Sequence, residues 1–88
     1  MGRDPRPDHA LGAAVWGLRE RRGLSREALA FRSGVTPSTL AGIELAEMVP
    51  RWDTVRLLAL ALRTSMVDLS AEVERNDPVM SIRQLPSA

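Results

Sequence analysis

An all-α domain of five short helices is predicted by three observations on the chain. Apolar residues recur at helical spacing in five segments. Polar capping residues (Asp8, Ser25, Thr36 and Ser65) stand immediately before four of them. Gly23, Gly34 and the run Asn76-Asp77-Pro78 punctuate the segments where a helix must stop.

Residues 1–8 carry Pro5 and Pro7 and read as a flexible arm. Asp8 is the predicted N-cap of a first helix over roughly 9–22, with Leu11, Ala14, Val15 and Leu18 on one face and Gly23 as its C-terminal glycine. Ser25 caps a second helix, without the glutamate three residues on that would complete a capping box. Leu29 and Ala30 face inward, and Gly34 supplies a left-handed turn. Thr36 caps a third helix (about 36–45), where Pro37 occupies the first position at no cost in hydrogen bonds. Leu40 and Ile43 form its inward stripe. A fourth helix over roughly 52–62 turns Val55, Leu58, Ala59 and Leu62 inward, with Trp52 expected in the core. Arg63-Thr64 breaks it, and Ser65 caps a fifth helix through about Val73, with Met66 or Val67 joining Leu69 to close the core. The predicted domain is 9–75, and 76–88 reads as a tail whose residues 79–84 alternate as an edge strand would.

At 88 residues with a normal apolar fraction of 44%, the chain is one small globular domain. It contains no cysteine, which excludes disulfides and cysteine-ligated metals. No run approaches the ~20 apolar residues of a membrane span. The N-terminus lacks the apolar core of a signal peptide, so a cytoplasmic location is expected. Net charge is only +1, yet every basic residue is arginine. Residues 1–35 carry +3 and residues 36–88 carry −2. This asymmetry suits a phosphate footprint, and a solvated arginine-rich face produces it equally. With one histidine, His9 beside the arm, and no cysteine, tyrosine or Gly-rich phosphate loop, neither an enzyme nor a cofactor or metal site is expected.

The stretch Leu24–Glu44 carries the functional signal. Two short helices joined by a tight turn at Gly34, the second apolar on one side only, form the layout of a helix-turn-helix that reads DNA. The residues Leu18-Arg19, Gly23-Leu24-Ser25, Leu29-Ala30, Gly34-Val35-Thr36, Ser38-Thr39-Leu40, Ile43-Glu44, Pro50, Leu58 to Leu62 and Leu69 closely resemble the Cro/phage-repressor (XRE-type) helix-turn-helix family over about 11–70. The resemblance implies a five-helix, lambda-repressor-like domain. It further implies a homodimer that lays its third helix in the major groove of double-stranded DNA and acts as a regulator, often a repressor. It implies a salt bridge between Arg19 and Glu44, and suggests helix five and the tail as the dimer interface.

Carried onto this chain, the base-reading positions are Pro37, Ser38, Thr39 and Gly42, with Ala41 marginal. None is the Arg, Asn or Gln that makes bidentate bonds to a base, so direct readout is thin and leaves room for shape readout. Phosphate contacts are expected from Arg26 at the start of helix two, from Thr36, and from Arg51 after Pro50. Arg3 and Arg6 of the arm could enter a minor groove. The sequence departs from the family at Ala46, where a glycine is usual, and at Glu47, which would repel phosphate.

Trp16 and Phe31 lie off the predicted core faces. They mark either an interface for a second protein or a surface that the tail covers through Ile82 or Leu85. A protein-interaction module, antitoxin-like or accessory, is therefore the alternative to a DNA-binding regulator.

Overall fold

The computed structural model describes residues 8–77. Five helices make up the described chain: α1 (His9–Arg21), α2 (Arg26–Ser33), α3 (Pro37–Glu44), α4 (Trp52–Ala61) and α5 (Met66–Asn76). Helix α1 packs on α3 and α5, α2 packs on α3 and α4, and α4 touches α5. Their shared interior is filled by Val15, Leu29, Leu40, Ile43, Leu58, Leu62 and Leu69, at least one from every helix or its cap. Burying each large aliphatic contributes about 1.5–3 kcal/mol.

The N-termini follow the predicted chemistry. The side chains of Asp8, Ser25, Thr36 and Ser65 accept hydrogen bonds from the backbone N–H of Leu11, Ala28, Thr39 and Asp68. Each satisfies a donor the helix leaves open. Arg51 caps α4 without a side-chain bond.

The C-termini show something the sequence did not. α1, α3 and α4 end in the same motif, with paired backbone bonds closing over a left-handed residue. The bonds are Leu24 N to Arg19 O and Gly23 N to Glu20 O, then Glu47 N to Gly42 O and Ala46 N to Ile43 O, then Thr64 N to Ala59 O and Arg63 N to Leu60 O. The left-handed position falls on Gly23 (φ 66°), Ala46 (φ 57°) and Arg63 (φ 55°). Only the first is a glycine, so two of the three turns carry a side-chain strain of about 1–2 kcal/mol. Gly34, between α2 and α3, is also left-handed (φ 76°) but closes with the single backbone bond Gly34 N to Ala30 O.

Two expectations are corrected and one open choice is resolved. Trp52 is not core but 68% exposed: it is the first residue of α4, two turns ahead of the buried Leu58 and Ala59. Helix α5 runs to Asn76 rather than to Val73. Met66 packs against the core, while Val67 points outward. The expected strand at 79–84, the arm with Arg3 and Arg6, and the tail residues Ile82 and Leu85 lie outside the described residues.

Candidate nucleic-acid interface

Helix α3 is held from one side and open on the other. Leu40 and Ile43 sink into the core, while Pro37 and Ser38 are exposed and Thr39 is half-exposed. Two features set the position of this helix.

The first is a buried ion cluster. Glu44, the last residue of α3, has its side chain 1% exposed. Arg19 of α1 grips it with both edges of a fork, Nε donating to Oε2 at 2.7 Å and Nη2 to Oε1 at 3.1 Å. Arg19 also donates from Nη1 to the carbonyl of Leu24, at 2.9 Å. One guanidinium thus ties α1, the α1–α2 turn and α3 together. The hydrogen bond to Glu44 raises the Arg19 pKa above its ordinary value, outweighing the cost of burial. The expected Arg19–Glu44 pair is therefore present.

The second feature was not anticipated. Gly12 of α1 lies against the end of α3. A Cβ at this position would sit 2.6 Å from the Ile43 carbonyl oxygen and 2.7 Å from that of Glu44. The helices approach this closely only because position 12 has no side chain. A glycine amid the alanines of a helix, Ala10, Ala13 and Ala14, is the signal that could have found it.

The other candidate residues divide. Arg51 is well exposed and reaches Asp53 Oδ1 at only 3.5 Å, so its guanidinium is open to an anion. Arg26 is less free than expected. Its Nε and Nη2 both donate to Glu44 Oε1 at 3.2 Å, and its side chain is 34% exposed. Two guanidiniums thus share the Glu44 carboxylate, Arg19 also reaches Glu20 Oε2 at 3.5 Å, and Arg26 is the more exposed of the two cations. Thr36 spends its hydroxyl locally: the oxygen caps Thr39 N at 3.1 Å, and the hydrogen is donated to Thr39 Oγ1 at 2.9 Å. Gly42 faces Met48 rather than open space, with its would-be Cβ 3.0 Å from Met48 Cγ. Glu47 is exposed in the α3–α4 loop.

Trp16 is half-exposed on α1. Phe31 on α2 is 91% exposed, at the rim of an open groove lined also by Glu27, Ala30, Gly34, Val35, Thr36 and Pro37. No helix among the described residues is long and apolar enough to cross a membrane.

Comparison with known proteins agrees with this architecture. The chain is similar to the clp gene regulator ClgR from C. glutamicum, at 28% identity and a TM-score of 0.72 over 80% of this chain and 91% of that one. It is similar to the restriction-modification controller protein C.AhdI from Aeromonas hydrophila, at 33% identity and a TM-score of 0.67 over 69% and 92%. The fold is shared with the controller protein C.Esp1396I, solved as a tetramer on its natural 35 base-pair operator. There identity is 18% and the TM-score 0.76, over 83% and 96% of the two chains. No curated protein matches the chain. The family described as the helix-turn-helix domain matches residues 10–73. That span holds all of α2 and α3 with their supporting helices, and the chain belongs to the helix-turn-helix domain family.

Proposed function

We propose that this protein is a DNA-binding transcriptional regulator, acting in the cytoplasm as a homodimer that inserts α3 into the major groove. The observation that carries the reading is the asymmetry of α3. Its N-terminal turn is open to solvent while its far end is clamped by Arg19–Glu44 and seated against Gly12. A helix fixed in this way can present side chains to base edges in a constant register. The similarity to a gene regulator and to a restriction-modification controller protein supports the same reading.

Pro37, Ser38 and Thr39 are the proposed base-facing residues, offering small apolar contacts and single hydrogen bonds. Gly42 contributes no side chain, and Met48 takes the space beside it. Arg51 and the outer edge of Arg26 are the proposed phosphate contacts, with Thr36 serving chiefly as a helix cap. Residues 9–75 form the proposed domain, between an arm at 1–8 and a tail at 76–88. No catalytic step is part of this function.

The test is selection from random and genomic duplex DNA at low and physiological salt. A regulator retains a defined set of sites at physiological salt. Arg51→Ala and Arg26→Ala should each weaken all sites alike and lower the salt slope by about 1. Failure to bind any duplex at low salt would refute the proposal. It would favour the second reading, a protein-interaction module using Phe31 and Trp16, which rests on the near-complete exposure of Phe31 beside an open groove.

A further inference from the structure

The outward side of α3 lacks a side chain at one position, and a residue of the next loop takes its place. Ser38, Gly42 and Leu45 recur at i, i+4 and i+7, on the side opposite the buried Leu40 and Ile43. Ser38 is exposed, and Leu45, just past the end of the helix, is 58% exposed. Gly42, one turn beyond Ser38, offers only backbone. A Cβ built on it would lie 3.0 Å from Met48 Cγ and 3.1 Å from Met48 Sδ. The Met48 thioether therefore stands where a side chain of residue 42 would begin.

Backbone geometry puts Met48 there. The Glu47 N–H donates to the Gly42 carbonyl at 2.7 Å and the Ala46 N–H to that of Ile43 at 3.1 Å, which folds the chain back over the last turn of α3. Ala46 takes a left-handed conformation, φ 57°, to make the turn. Met48 follows directly on these bonds. It is half-buried: it packs against the core as well as on Gly42, and part of it stays open to solvent. A thioether has no donor and is only a weak acceptor. Phosphate and the polar base edges therefore offer it no partner. Among the groups that base pairs present in the major groove, the apolar one is the C5-methyl of thymine.

We infer that Met48, reaching from the α3–α4 loop, is a specificity-determining residue: it replaces the missing side chain of residue 42 and contacts the C5-methyl of a thymine in the major groove. The inference deepens the regulatory reading and rests on it. It gives a recognition helix that offers only Pro37, Ser38 and Thr39 a further base contact, without Arg, Asn or Gln. Glycine at position 42 is part of the arrangement, since a Cβ there would displace the thioether.

The test is binding of the full chain to a duplex selected from random sequence, with each thymine in turn replaced by deoxyuridine, which removes only the C5-methyl. Folding of each variant is followed by circular dichroism. For the wild type, one thymine in each half-site should be methyl-sensitive, its replacement weakening binding about 3- to 10-fold. Met48→Ala should not distinguish the two bases at that position. Gly42→Ala keeps Met48 but displaces it, and should lose the same discrimination. A selected duplex with no methyl-sensitive thymine overturns the inference and leaves the regulator standing. So does a Met48→Ala or Gly42→Ala protein that discriminates as the wild type does, for Met48 then only fills space beside the helix. A wild type that selects no duplex at all overturns the regulatory reading and the inference together.

Discussion

Replacing Gly12 by alanine should test how the recognition helix is positioned. The added Cβ would lie 2.6 and 2.7 Å from the carbonyl oxygens of Ile43 and Glu44, whereas ordinary contact begins at 3.4 Å. The gap must therefore open by 3.4 − 2.6 and 3.4 − 2.7, about 0.7–0.8 Å. Both obstacles are backbone, so no rotamer change relieves them, and the end of α3 must move with Glu44 and its fork to Arg19. Overpacking of this kind costs about 1–3 kcal/mol. Alanine returns about 0.5–1 kcal/mol as the better helix former, leaving a net loss of up to about 2.5 kcal/mol. For a domain of this size each kcal/mol lost lowers Tm by roughly 4–8 °C. Gly17 provides the internal control, since it lies in the same helix and its would-be Cβ meets only Arg21 Nη1 at 3.6 Å. Gly17→Ala should stabilise by about 0.5–1 kcal/mol. Urea denaturation of the two variants beside wild type measures both effects. If Gly12→Ala proves as stable as Gly17→Ala, the close helix approach at Gly12 does not position α3 and the reasoning is wrong.

Three further outcomes are expected. Glu44→Gln leaves Arg19 buried without its anion and should cost about 3–5 kcal/mol; the exposed half of the cluster, Arg26→Ala, should cost about 1 kcal/mol or less, so comparable losses in chemical denaturation would contradict the assigned burial. Ala46→Gly relieves the left-handed strain at φ 57° and should raise stability by up to about 1 kcal/mol, read from the urea midpoint, with a loss counting against it. The Glu72 carboxylate is held below its ordinary pKa by its hydrogen bonds to Arg75 and to Arg21, the latter at 2.8 Å across α1 and α5. A depressed carboxylate contributes its stability above the unfolded value, ~4.3, and loses it as pH falls through the lower folded value. The advantage of wild type over Glu72→Gln should therefore be full well above the unfolded value, ~4.3, and shrink steadily as the pH is lowered below it; a difference that does not change with pH would exclude the pair as its source.

Much of the candidate site was legible because its signals are local. A cap oxygen reaches an N–H three residues away, and a proline at the first helical turn or a glycine at a left-handed turn acts on its own backbone. Asp8, Ser25, Thr36, Ser65 and Gly34 therefore declared the helix boundaries directly. Arg26 was legible as a cation at the start of α2, but not as a partner of Glu44, because the two are 18 residues apart and meet only when α2 packs on α3. Trp52 shows the converse: its side chain predicts burial, and its place at the very start of α4, two turns ahead of the buried Leu58 and Ala59, leaves it in solvent.

By itself, then, the sequence determined the number, type and order of the helices, the turn that joins α2 to α3, and the inward stripe of each. Periodicity and caps encode these within a few residues of chain. Only the tertiary structure decided what depends on residues distant in sequence. It placed the Ile43 and Glu44 carbonyls against Gly12, concentrated Arg19 and Arg26 on one buried carboxylate, and put Ala46 and Arg63 into glycine's conformation. Each of these follows from how helices settle against one another once their shared core closes, a distance no local pattern records.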